Sequence, residues 1–211
     1  MKDVVIIWDW NGTLLNDVSF CVDRINDLLV KREMKRVSIE EYRKKFTFPV
    51  ADYYREIGLL DNDNYADIGI EFIVKYFAGI GSCPLREDAV SVLKYFSDNN
   101  VRQYILSAMQ HDKLVELVKQ FKIEHYFEDV RGIDNHYADG KKGAAEVLKS
   151  ELGSESVWFI GDTIHDYEIS QVFEGRSVLL KGGHQSVDRL HTCKGAIVLD
   201  DIADLRECIA V

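Results

Sequence analysis

Acidic and hydroxyl side chains recur in this chain directly after short apolar runs. Val4-Val5-Ile6-Ile7-Trp8 leads into Asp9, Gln103-Tyr104-Ile105-Leu106 into Ser107, and Val157-Trp158-Phe159-Ile160-Gly161 into Asp162. Apolar runs of this length, separated by helical patterns, read as strands of a parallel sheet covered on both faces. In such a sheet ligands bind outside the carboxyl ends of the strands. Two carboxylates and a hydroxyl therefore fall on one edge, and paired acids favour a hard, oxygen-seeking cation such as Mg²⁺. Lys141 or Lys142, opening a later helix, adds a cation for a phosphate or for a nucleophilic carboxylate. Lys141 is preferred because it directly follows Gly140. One aspartate after one strand reads as a cap or a turn; the repetition carries the argument.

The elements needed to position these groups are legible as alternating strands and helices. After the strand 4–8, residues 17–33 show helical spacing with Val18, Val22, Ile25 and Leu29 on one face. Ser38 with Glu41 forms a capping box for a second helix, Pro49 opens a third, and residues 66–77 form a fourth. Residues 17–82 hold no convincing strand and read as a helical bundle inserted after the first strand. From Arg86 onward helices alternate with strands at 101–106, near Val130, and at 156–160, 177–180 and 196–199. The expected fold class is α/β: a Rossmann-like parallel sheet core, residues 1–16 and 83–211, carrying a small all-helical cap, residues 17–82.

Composition narrows the partners. The 211 residues carry a formal net charge of −10, which disfavours binding to nucleic-acid backbones or anionic lipid without a basic patch. The basic residues near 31–36 and 43–45 are interleaved with or preceded by acids and read as a solvated helix face. The four cysteines form no C-x-x-C pair, so neither a zinc site nor a redox dithiol is suggested, and a reducing compartment fits. The run Val4–Trp8 is too short to span a membrane and lacks the features of a signal peptide. The expectation is a cytoplasmic protein with neither nucleic acid nor membrane as partner.

Asp9-Trp10-Asn11-Gly12-Thr13-Leu14 resembles the first motif of the haloacid dehalogenase superfamily, usually D-x-D-G-T-L. Ser107 at a strand end fits the second motif and Lys141 the third. Gly161-Asp162-Thr163-Ile164-His165-Asp166 matches the fourth, G-D-[ST]-x-x-D. The helical insertion is similar to the family's C1-type cap, and the layout to phosphoglycolate-phosphatase-like members. The resemblance implies a Mg²⁺-dependent phosphatase that hydrolyses a small phosphate monoester through an aspartyl phosphate on Asp9. It implies metal ligation by Asp9, Asp162 and the backbone carbonyl of Asn11, with Asp166 orienting the metal's water shell. Thr13, Ser107 and Lys141 would hold the phosphoryl oxygens.

One position departs from the pattern. Where the family carries a second Asp that serves as acid and base, this chain has Asn11, and an amide cannot exchange a proton near neutral pH. Loss of such a group costs about 10² to 10⁴ in rate. The expectation is a slow phosphatase with Asn11 replacing the acid/base Asp. The alternatives are an impaired phosphoryl-binding or regulatory protein, or another reaction such as phosphotransfer or C–P cleavage. Deamidation at Asn11-Gly12 would create the missing Asp, because a glycine leaves the following amide free to attack. His165 is a conceivable substitute acid, weighed below a loop histidine facing water. Gly182-Gly183-His184-Gln185 lies at the same edge and reads as a turn or as a contact to substrate or cap. In the cap, Arg43, Tyr53, Tyr54 and Arg55 are candidates for reading the substrate, against the alternative that the aromatics are core.

Overall fold

A computed structural model of the chain describes residues 4–133, 140–153 and 155–210. Residues 1–3, 134–139, 154 and 211 of the expected core lie outside the described residues. The first strand, β1 (Val4–Trp8), is followed by four helices: α1 (Val18–Lys31), α2 (Ile39–Lys45), α3 (Val50–Glu56) and α4 (Tyr65–Phe77). Then come α5 (Ala89–Asp98), β2 (Arg102–Gln110), α6 (His111–Gln120), β3 (Asp129–Ile133) and α7 (Gly140–Glu151). The chain continues through β4 (Ser156–Gly161), α8 (Ile164–Val172), β5 (Arg176–Leu180), α9 (Val187–Leu190), β6 (Ile197–Leu199) and α10 (Leu205–Cys208). This is the expected α/β architecture, a Rossmann-like core with a helical cap after its first strand. The short helix α9 and the length of β2 were not anticipated.

The sheet order is β3-β2-β1-β4-β5-β6 with every pair parallel. In that order the chain runs outward in both directions from β1, so the crevice outside β1 and β4 is the switch point where an open α/β sheet binds ligands. Trp8 stands beside Ile160 in the ladder, and the Asp9 N–H donates to the Ile160 carbonyl at 2.8 Å. Register alone therefore sets Asp9 next to Gly161 and Asp162.

The side chains of β1 alternate as a strand requires. Ile6 and Trp8 pack with Ile105, Trp158, Ile160 and helices α5, α6 and α10. Val5 and Ile7 pack on the other face with Phe159 and with Ala145 and Leu148 of α7. Within the cap, α1 packs on α4 and α2. The capping box read from Ser38 and Glu41 is present at α2, with Ser38 Oγ accepting from the Glu41 N–H and the Glu41 carboxylate accepting from the Ser38 N–H. Among the described residues no helix is long and apolar enough to cross a membrane.

Candidate active site

Asp9 leaves the end of β1, Asp162 the end of β4, and Asp166 sits one turn into α8, where Thr163 caps the helix. Carboxylate oxygens from these three buried residues lie within 4.8 Å of one another. Lys141, in the first turn of α7, is buried and bridges two of them: Nζ is 2.5 Å from Asp9 Oδ1 and 2.6 Å from Asp166 Oδ1. Lys142 is exposed. Asp166 Oδ2 accepts from the N–H groups of Asp162 and Thr163 and from the Thr163 hydroxyl. Asp162 accepts from the Thr13 hydroxyl at 3.0 Å and from the His184 N–H at 2.5 Å.

Backbone comes close enough to these carboxylates that glycine is required at three places, one of them Gly161, where a Cβ would lie 2.6 Å from Asp166 Oδ2. A Cβ on Gly183 would lie 2.2 Å from Asp162 Oδ2, and one on Gly12, whose φ is +71°, would lie 2.4 Å from the same oxygen.

Three carboxylates against one ammonium leave the cluster short of positive charge. Burial, with Asp166 and Asp162 nearby, pushes the Asp9 carboxyl well above its usual range despite Lys141. Burial likewise lifts Asp162 to about 6, against His184. Burial would raise Asp166 too, but the Lys141 ammonium and the Thr163 hydroxyl hold it below the ordinary value. The Lys141 ammonium is reinforced because Asp166 and Asp9 outweigh its own burial. A buried, all-oxygen, charge-deficient donor set of this kind fits a hard divalent cation.

Asn11 is placed differently from expectation. Its amide Nδ2 donates to Asp17 Oδ2 at 3.0 Å and to the Tyr76 hydroxyl at 2.7 Å. The Tyr76 hydroxyl in turn donates to Asp17 Oδ2, and Asp17 Oδ1 accepts from the Gly12 N–H at 2.8 Å. This corrects the function read from the sequence. That reading had a Mg²⁺-dependent phosphatase working through Asp9 with the usual acid/base Asp replaced by Asn11. From it followed slowed monoester hydrolysis, an idle phosphoryl-binding protein or a different reaction. The centre is instead an all-aspartate cluster of Asp9, Asp162 and Asp166, while the Asn11 side chain is a donor to Asp17 and Tyr76. The Gly12 N–H, which deamidation would need free, is held by Asp17.

The remaining expected residues are dispersed around this cluster. Ser107 lies within β2, beside an irregularity in its pairing with β3, and its Oγ accepts from the Met109 N–H at 3.1 Å. The Thr13 hydroxyl is spent on Asp162. His165 is half-buried: its ring lies 4.9 Å from Phe48, Nδ1 is 3.5 Å from Glu168 Oε2, and burial lowers its pKa. Arg43 donates to the carbonyls of Gly183 and Gly182, at 2.8 and 2.6 Å, and Arg55 pairs with Asp52 at the surface.

Sequence reasoning gave no role to Asp17 or Tyr76 and left His184 as a turn or contact residue. His184 Nδ1 is 2.7 Å from the Tyr42 hydroxyl and Nε2 is 3.4 Å from Asp17 Oδ1. Burial works against its charge, but Asp17 outweighs burial and raises His184 to about 9. The usable signal was the position of His184 after β5, on the edge that carries the aspartates. Asp17 carried no signal, because beside its local bonds to Asn11 and Gly12 its other partners, Tyr76 and His184, come from the far end of the cap and from the last third of the chain.

A cavity of about 690 Å³ opens over the cluster, lined by Asp9, Asn11, Ser107, Lys141, Asp162 and Asp166 below and by cap side chains above. The family model for haloacid dehalogenase-like hydrolases matches residues 6–179. The chain belongs to this family. Among curated proteins, none matches the sequence. Protein tyrosine kinase A of Mycobacterium tuberculosis has the same fold, with a TM-score of 0.83 and 18% identity over 100% of this chain and 99% of that one. A haloacid dehalogenase-like family hydrolase from Streptococcus pneumoniae aligns with a TM-score of 0.81 and 16% identity over 98% of each chain. A predicted phosphoglycolate phosphatase from Haemophilus somnus aligns at 0.74 and 15% over 99% of this chain and 98% of that one. The haloacid dehalogenase-like chain thus carries its family's fold along its whole length.

Proposed function

We propose that this haloacid dehalogenase-like hydrolase is a phosphatase that acts on a small phosphorylated molecule at the Asp9–Asp162–Asp166 cluster with Mg²⁺ bound. The observation that carries the reading is the buried three-carboxylate cluster bridged by Lys141 at the floor of a ligand-sized cavity. Asp9, Asp162 and the carbonyl of Asn11 would hold the metal, with Asp166 behind them. A bound divalent cation there supplies positive charge to the phosphoryl oxygens. Asp9 is the carboxylate presented to the phosphorus, and Lys141 fixes one of its oxygens. Lys141 and Ser107 are assigned to the phosphoryl oxygens, and Thr13, through its bond to Asp162, to the metal side. Residues 17–82 act as the substrate cover on a core of 1–16 and 83–211. The free thiols of Cys21, Cys83, Cys193 and Cys208 support a cytoplasmic setting.

The test is phosphate release from a panel of phosphate esters with Mg²⁺ or with chelator. Asp9→Asn is expected to lower the rate by about 10³-fold or more. Asp162→Asn is expected to abolish Mg²⁺ binding measured by calorimetry. Undiminished release in Asp9→Asn would remove the proposal.

A further inference from the structure

The cavity also bears on the alcohol half of the substrate, an inference that rests on the phosphatase reading. Among the described residues, charged lining groups are confined to its floor. Among the described residues the cations there are Lys141 and His184, and both face buried aspartates. The upper wall comes from the cap, and the side chains that shape it include Phe46, Phe48, Tyr54, Phe72, Ile73 and Tyr76. Two of the cap's phenols are already engaged, Tyr42 by His184 and Tyr76 by Asp17, so they turn ring surface to the cavity. The buried Tyr53 hydroxyl has no hydrogen-bond partner among the described residues and offers a neutral group, not a charge. No arginine or lysine of the cap is among the lining residues: Arg43 is spent on loop carbonyls and Arg55 on Asp52.

The apolar lining reaches the surface along one side of α4. Ile70 and Val74, one turn apart, are 63% and 64% exposed and line the cavity. Gly69 of the same helix also lines the cavity, and a Cβ there would meet nothing within 4 Å. A glycine inside a helix costs stability relative to alanine, and here it leaves open space in a cavity wall.

We infer that the preferred substrates are phosphate monoesters of flat, apolar alcohols or phenols, not esters that carry a second anionic group. A second carboxylate or phosphate would lose its water and find no cation in the cap, whereas a ring finds faces and edges of aromatic side chains.

Phenyl and 2-naphthyl phosphate, whose leaving groups are of similar acidity, separate burial from intrinsic reactivity. kcat/KM is expected to favour the naphthyl ester by about tenfold or more. In Gly69→Leu, which fills the wall, that ratio is expected to fall toward one. Binding is read independently by calorimetry with 2-naphthylmethylphosphonate and with the diacid phosphonoacetate. The naphthyl compound is expected to bind about tenfold more tightly, and Ile73→Lys, which adds the missing cation, is expected to reverse that order. A naphthyl-to-phenyl ratio near one, or tighter binding of phosphonoacetate to the natural chain, overturns the inference. If no ester is hydrolysed the phosphatase reading fails, and the two phosphonates still decide what the cavity accepts.

Discussion

The floor and the wall of the cavity are built on opposite plans. The floor gathers Asp9, Asp162, Asp166 and Lys141 from the ends of adjacent parallel strands and the first turns of two helices, and these ion pairs and hydrogen bonds fix their oxygens. The wall is made of rings touching rings: Tyr42 on Phe46 and Tyr53, Tyr54 on Phe72, and Phe72 on Tyr76. Electrostatic preorganisation needs groups held to a fraction of an ångström, which strand ends supply. Apolar recognition needs shape and dryness, which helices can change without disturbing the floor. The two halves are fastened at a few points: His184 to Tyr42 and Asp17, Arg43 to the 182–183 carbonyls, and Gln185 Nε2 to the Phe46 carbonyl at 3.0 Å.

The floor is most directly broken at Lys141. Lys141→Met removes the ammonium that compensates Asp9 and Asp166, and leaving a buried charge unpaired costs about 3–5 kcal/mol. The variant is expected to lose that much stability in urea unfolding with chelator present. Saturating Mg²⁺ should recover part of it, because a cation that binds only the folded state stabilises it. Phosphate release is expected to fall by at least about 10²-fold. Equal stability with and without Mg²⁺ would mean that the three aspartates do not share a cation.

Asn11 tests the seam between the halves. Read as a motif position, Asn11→Asp restores an acid. In the structure the new carboxylate faces Asp17 where an amide donor stood, within hydrogen-bond reach of a buried like charge. The expected loss is about 1.5–3 kcal/mol at pH 7, the scale of a hydrogen bond to a charged group. Asp17→Asn in the same chain should recover part of that loss, since one carboxylate is then removed. A double-mutant cycle by chemical denaturation measures it. An Asn11→Asp protein as stable as the natural one would show that the side chain is not committed to Asp17 and Tyr76.

This contrast tracks what the sequence disclosed. Asp9, Asp162 and Asp166 were legible because each follows an apolar strand within a few residues, so that chain-local order and parallel register are enough to bring them together. Lys141 was legible as the cation of a helix start. Ser107 was placed just past a strand, but β2 runs on to Gln110 because its pairing with β3 resumes beyond an irregularity. The cap helices were legible from their periodicity and the Ser38–Glu41 capping box. The wall was not, since Tyr42 meets His184 and Tyr76 meets Asp17 only after the cap has folded back over the core. Asn11 was misread for a related reason: a motif gives a residue's place along the chain, not the direction of its amide.

The smallest expected effect sharpens the comparison from the cap side, at Glu71 on α4, away from the cavity. Its carboxylate accepts from Lys31 Nζ at 2.9 Å and from Arg32 Nη2 at 3.1 Å, tying α4 to the end of α1. Burial would raise the Glu71 carboxyl, but these hydrogen bonds and charges hold it below its ordinary value of 4.5. A carboxyl lowered on folding contributes stability above its unfolded value and loses it as pH falls through the folded one. The gap between the natural chain and Glu71→Gln is therefore expected to be present at pH 7 and to close below about pH 4.5. As a partly solvated pair it is expected to be a few tenths to about 1 kcal/mol, smaller in 1 M salt. Urea unfolding of both proteins across that range measures it. A gap that persists unchanged at pH 3 would mean that Glu71 acts through packing of its stem, so that the cap, unlike the floor, owes nothing to charge at this joint.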